Sequence, residues 1–215
     1  MIQDLVAAII LYTQTSLENP NFALPKQEQV LASREISLET RYANPSVNDV
    51  MKDNILLTLA YLNGDIKPGT KIDWNKLNQN SHYEFKLAPK ETFAFQDDVL
   101  PEYENKVAFT TNAHFNAQDG FKTDGYLYGD GVCHLASLLN WVARDAKLDV
   151  KSPTAHDFAS IPEVPKEYGT SIYYNSGAKD VNSAQNLYIT NNQEKPVALK
   201  FDYENGKLKF SISEI

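Results

Sequence analysis

The chain has 215 residues, a formal net charge of −8, and 42% hydrophobic against 22% charged residues, a globular composition that excludes wholesale disorder and suits a single domain. The acidity and the lack of any Lys/Arg run exclude the basic face that nucleic acid requires and disfavour anionic lipid surfaces. No stretch approaches the roughly 20 apolar residues of a membrane-spanning helix.

Residues 1–35 read as an N-terminal arm. Leu5 to Leu11 is expected to form a short amphipathic helix; Asp4 and no basic residue precedes it, which does not suit a signal peptide. Asn19-Pro20 and Leu24-Pro25 break any longer helix. The domain proper is taken as 36–215. From Ser46, read as an N-cap, the helical spacing of Val50, Met51, Ile55, Leu59 and Leu62 predicts a helix that Asn63-Gly64 ends. Between Ile66 and Tyr128, segments such as Tyr83–Leu87 and Thr92–Phe95 alternate with turn clusters and read as strands.

A second helix is predicted from Asp130 to about Lys147, its apolar stripe formed by Val132, Leu135, Ala136, Leu139, Val142, Ala143 and Ala146. Ser171 to Tyr174 reads as strand-like. Two strands, near Asn186–Thr190 and Val197–Tyr203, are followed by a third, Lys207–Ile212, across an Asn205-Gly206 hairpin turn. The fold class is therefore α+β, one domain in which the second helix packs on a mainly antiparallel sheet, with a helical N-terminal arm.

A single cysteine, Cys133, excludes an intramolecular disulfide. It falls in the first turn of the second helix if Asp130 is the N-cap. There the helix dipole and unpaired N–H groups stabilise a thiolate and supply donors for an oxyanion. Asp130 works against this unless capping absorbs its charge. The plainer reading makes Cys133 one more member of the apolar stripe.

A thiol nucleophile needs a base, and the chain has His82, His114, His134 and His156. His134 adjoins Cys133 on the helix and points about 100° away from it, so His156, downstream, is the preferred base. Asp157, Gln185 and Asn186 are candidates to orient its imidazole, with Asn186 preferred. His134, His114, Tyr126, Asp130 and Asp157 are candidate substrate contacts. The histidines have no metal-ligand spacing, and Gly129-Asp130-Gly131 lacks the continuation of a nucleotide-binding loop. Neither a metal nor a cofactor is expected.

The run Gly129-Asp130-Gly131-Val132-Cys133-His134-Leu135-Ala136-Ser137-Leu138-Leu139 resembles the VanW-like signature Gly-Gly-Gly-Val-Cys-Gln followed by Val/Leu-Ser-Ser-x-Leu. Thr40-Arg41-Tyr42, Asn54-Ile55, Leu62-Asn63-Gly64, Leu87 to Phe95, Gly125-Tyr126, His156 and Asn186 to Asn192 extend the resemblance over roughly residues 36–212. The chain departs from the pattern at Asp130 and at Lys90, each in place of Gly, and at His134 in place of Gln, as a divergent subgroup would.

The resemblance implies an extracytoplasmic protein of the bacterial cell envelope. It further implies a cysteine acyltransferase of the L,D-transpeptidase kind, with Cys133 as nucleophile, His156 as base, and peptidoglycan or its stem peptides as partner. The reading leans toward an enzyme, a transpeptidase or an amidohydrolase. The alternative is a non-catalytic peptidoglycan- or glycopeptide-binding module.

Overall fold

Asn205 and Gly206 both adopt left-handed backbone, with φ of 51° and 75°. This is the pairing that a two-residue hairpin turn requires, and it sets the register of the two strands it joins. The computed structural model describes residues 28–125 and 127–215. In it, β7 (Val197–Glu204) and β8 (Lys207–Glu214) pair with Phe201 opposite Phe210 and Tyr203 opposite Leu208. Strand β1 (Gln29–Ser37) flanks β8 and β2 (Ser81–Leu87) flanks β7, giving an antiparallel sheet of order β1-β8-β7-β2. Leu208, Phe210 and Ile212 alternate with lysines and serines and face the core, as period-two strands do.

A second sheet has the order β4-β3-β6-β5, made by β3 (Thr92–Ala94), β4 (Val107–Thr110), β5 (Asp149–Lys151) and β6 (Tyr188–Thr190). Only its β3–β4 pair is parallel. The α+β class and the mainly antiparallel pairing are as expected, with the strands divided between two sheets.

The arm boundary shifts. Gln29 to Glu35, read as the end of the arm, belong to β1 and are paired to β8. Leu5–Leu11 and the rest of residues 1–27 lie outside the described residues. Ser171–Tyr174 is not a strand. It continues from an isolated bridge, Ala155 with Thr170, as an irregular strap.

Helix α1 spans Pro45–Leu62 and starts two residues earlier than expected. Asn44 is its N-cap and accepts from the Ser46 N–H, and Pro45 occupies the first turn, where its missing N–H costs nothing. Its burial is not one-sided: every residue from Asp53 to Tyr61 is buried. The polar members of that stretch therefore need internal partners: Asn54 and Asp53 reach the loop that leads to the cysteine, and Thr58 donates to the Asn54 carbonyl of its own helix.

Helix α3 spans Val132–Asp145, after the short α2 (Trp74–Leu77) and before α4 (Lys179–Ala184). It packs on β1, β8 and β5 and touches α1, so it is held between both sheets and the buried helix, with Gly131 at its start against Met51 of α1.

Candidate functional site

The first turn of α3 is built differently from the sequence expectation. Its N-cap is Gly131, with φ of 94°, and no side chain caps it. A Cβ at this position would lie 2.8 Å from the Met51 carbonyl oxygen and 2.9 Å from Met51 Cα. Conformation and close approach to α1 together demand glycine here. Asp130 is not the cap. Its carboxylate accepts from the Asp124 N–H at 2.8 Å, while its backbone carbonyl accepts from Asn54 on α1 at 2.9 Å. Partial burial, opposed by that N–H but reinforced by the Asp124 carboxylate, pushes the Asp130 pKa up to about 6.

Three chain segments are laced together beside α3. Ser137 accepts the Thr170 N–H at 2.9 Å while donating to the Cys133 carbonyl at 2.7 Å, and Asn140 donates to the Tyr168 carbonyl and to Thr170 Oγ1, each at 3.0 Å. The 168–172 strap is thereby fixed to the helix. Residues 154–156 pair with the same strap, Ser171 N–H to Thr154 O at 2.9 Å and His156 N–H to Gly169 O at 3.1 Å. Cys133 and His156, 23 positions apart in the chain, thus line one cleft of about 390 Å³, within the usual size range for small-ligand sites.

Cys133 is half-buried and bracketed by the backbone of Ile172, whose N–H donates to Sγ and whose carbonyl accepts from it, both at 3.4 Å. The depressed pKa expected of a helix-start thiol is not present. Burial pushes it up to about 11; the Ile172 N–H opposes this and the Asp130 charge adds to it. Among the first-turn amides, those of Val132 and His134 are taken by the Gly129 and Gly131 carbonyls. The Cys133 N–H has no backbone acceptor among the described residues.

His156 is 6% exposed, and its Nδ1 lies 3.1 Å from the Ala159 carbonyl. That carbonyl, and not Asn186, orients the imidazole. Asn186 is fully buried elsewhere, accepting from the Gln96 and Leu187 amides and donating to the Gln96 and Asp98 carbonyls. Gln185 accepts from Ser171 Oγ, and its carbonyl accepts from Gln96. Burial lowers the His156 pKa, so the ring is neutral near pH 7 with Nε2 free of any protein partner among the described residues.

His134, which sequence spacing turns away from Cys133, also lines the cleft, held by Arg41 Nη1 3.0 Å from its Nδ1. Asp130 lines it too. Asp157 is exposed and lines a neighbouring cavity of about 280 Å³, separated from the cleft by the 156–160 loop. His114 is set back from the cleft. It lies near the buried Asp119 and near Asp97, and its ring sits tilted at 4.5 Å from that of Tyr174, a residue that does line the cleft. Tyr126 lies outside the described residues.

The rim carries Leu127, Tyr128, Phe158 and Tyr173, which are 59%, 53%, 76% and 41% exposed. Most of the large apolar side chains that the described surface displays are therefore collected around one opening, a pattern that marks a binding site. Reading the sequence missed Arg41 and Asn54 as parts of the site, although both lie in upstream motifs already noted. It also missed the Ile172 strap, which had no local signature.

The thiol environment has a measurable consequence. At pH 7.5 the thiolate fraction should be about 300-fold below that of a free cysteine, and greater basicity of the thiolate returns about tenfold of that in nucleophilicity. Iodoacetamide is therefore expected to label native Cys133 at least about tenfold more slowly than a free thiol, with a rate still rising at pH 10. Asp130→Asn, which removes the adjacent charge, should speed labelling about threefold. It should also stabilise the fold above pH 6, where the raised folded-state pKa makes the native carboxylate costly, and give no gain below pH 4. Labelling as fast as a free thiol at pH 7 would contradict this environment.

Among the described residues, no group of histidine, cysteine and acidic side chains is arranged to hold a metal, and no helix is long and apolar enough to cross a membrane. A family model described as VanW like protein matches residues 75–213. No curated protein and no solved structure matches the chain.

Proposed function

The chain belongs to the VanW-like family, a membership that ties it to the cell wall and glycopeptide resistance, and from this together with the cleft we propose that it is an extracytoplasmic cysteine acyltransferase acting on peptidoglycan stem peptides. The observation that carries the reading is the shared cleft of Cys133 and His156, in which Nδ1 is committed to the Ala159 carbonyl and Nε2 is left to take a proton. The thiol does not rest as a thiolate. Its proton leaves for His156 Nε2 as sulfur attacks the amide carbonyl of the stem peptide, so the base acts in the same step as the nucleophile.

The tetrahedral oxyanion would receive the Cys133 N–H. The C–N bond then breaks, His156 returns the proton to the leaving amine, and a thioester remains on Cys133. An acceptor amine completes a transpeptidase cycle by attacking this thioester; water completes an amidohydrolase cycle. The apolar, aromatic rim suits the peptide backbone and sugar faces of a wall fragment.

A second reading, a non-catalytic module that binds peptidoglycan or a glycopeptide, draws on the raised Cys133 pKa and on the backbone bracket that already occupies the sulfur. Incubation with purified muropeptides and intact-mass analysis separates the two. The acyltransferase reading expects a covalent adduct whose mass is that of the donor less its leaving group, lost in Cys133→Ala. Unmodified mass with saturable binding that Cys133→Ala leaves near native would replace it with the binding module.

A further inference from the structure

Arg41 reaches His134, a residue of the cleft wall, from 93 positions upstream. One guanidinium nitrogen lies 3.0 Å from His134 Nδ1 and another donates to the Pro162 carbonyl at 2.7 Å. Its Nε is buried without a hydrogen-bond partner, and Arg41 makes no ion pair among the described residues. A guanidinium kept largely out of water, with the Glu163 charge near it but outside ion-pair distance, is costly, and hydrophobic packing alone does not account for it.

A guanidinium has only donors and does not lose its proton in proteins. The nitrogen facing it must therefore offer a lone pair, which leaves the ring proton of His134 on Nε2. His156 has the opposite constraint: its Nδ1 faces a carbonyl, which only accepts, so Nδ1 holds the proton and Nε2 the lone pair. The two rings stand edge to face with centroids 6.3 Å apart, Tyr42 stacks on the far side of His134 at 6.1 Å, and both imidazoles line the cleft with Cys133. Burial, and then the Arg41 charge, push the His134 pKa down to about 3, which agrees with a ring that stays neutral.

We propose that Arg41 is a positioning residue that fixes His134 as a neutral Nε2–H donor to the substrate carbonyl oxygen, opposite in tautomer to the acceptor His156. The role at the substrate rests on the acyltransferase reading; the tautomers do not. In the attack, the proton on sulfur passes to His156 Nε2 while the carbonyl oxygen gathers charge against the Cys133 N–H and His134 Nε2–H. His134 donates a hydrogen bond throughout and never surrenders its proton. When the C–N bond breaks, the carbonyl re-forms and the His156 proton departs with the amine.

The test uses the full chain labelled with ¹⁵N in its histidines. Long-range ¹H–¹⁵N spectra distinguish protonated from unprotonated ring nitrogens, and His134→Gln and His156→Gln assign the signals. The native chain should show His134 protonated at Nε2 and His156 at Nδ1, and Arg41→Met should mix or reverse the His134 pattern alone. With muropeptide at saturation, Arg41→Met should slow acylation about 10- to 100-fold while iodoacetamide labelling stays within about twofold. His134→Gln, which keeps an acceptor for Arg41 and a donor for the cleft, should retain acylation within about tenfold, and His134→Leu should not.

A native His134 protonated at Nδ1, or a pattern unmoved by Arg41→Met, overturns the proposal whatever the activity. The expected tautomers in a chain that forms no adduct would uphold the positioning by Arg41 and remove the acyltransferase reading.

Discussion

On the proposed acyltransferase reading, His156→Ala is expected to slow acylation of Cys133 about 10²- to 10⁴-fold, the range set by loss of a general base, with the fold intact. With its sulfur held near pKa 11, the chain has little thiolate to fall back on once the base is gone, which favours the upper end of the range. Among the described residues the ring's one polar bond is to Ala159, and its ring contacts are His134 and the exposed Phe158. The segment remains pinned by its backbone bonds to the 168–172 strap, so the stability cost should be about 1–2 kcal/mol. Single-turnover acylation by mass analysis, beside thermal unfolding, measures both quantities. A variant that folds normally and acylates within tenfold of the native rate would assign the proton to another group.

Asn54→Leu is the largest stability change anticipated, about 3 kcal/mol. The residue has no exposure and holds three backbone groups of the cysteine loop: it accepts the Lys122 N–H at 2.8 Å and donates to the Lys122 and Asp130 carbonyls at 3.0 and 2.9 Å. The Lys122 carbonyl keeps Gly129 as a second donor, so two groups lose the partner named here, at about 1–3 kcal/mol each. For a chain of this size the melting temperature should fall by roughly 6–12 °C, read by calorimetry or circular dichroism. A shift below 2 °C would mean that water replaces the amide and that the loop is not held from α1.

Local pattern carried the elements well. The Asn205-Gly206 turn, β2 and the helix around Cys133 stand within a few residues of their expected places, because alternation, turn chemistry and a 3.6-residue stripe are properties of neighbouring residues. The cap of α3 was not legible for a related reason. Asp130 has the usual capping side chain, but Asp124 N–H claims it, and the tight approach of Met51 to Gly131 decides the turn.

Cys133 and His156 were singled out by residue type and order, while their surroundings depend on distant chain. Neither the bracket from Ile172, nor the hold of Arg41 on His134, nor that of Asn54 on Lys122 leaves a trace in local spacing. The depressed thiol pKa failed as an expectation because helix-end polarity was weighed without the burial that opposes it. Asn186 attracted attention as a polar residue at a strand start, where its amide serves the backbone around Gln96 instead.

Six of the groups that shape the cleft share one chemical property. Asn54, Ser137 and Asn140 around Cys133, and Gln96, Asn182 and Asn186 behind the 173–185 segment, all grip backbone with amides or a hydroxyl. Such clasps have no formal charge to screen and no proton to lose between pH 4 and 9, so added salt and mild acid barely touch them. The parts of the opening held by these clasps are thus insulated from swings in ionic strength and acidity, which fall instead on its charged members, Asp130 and Arg41.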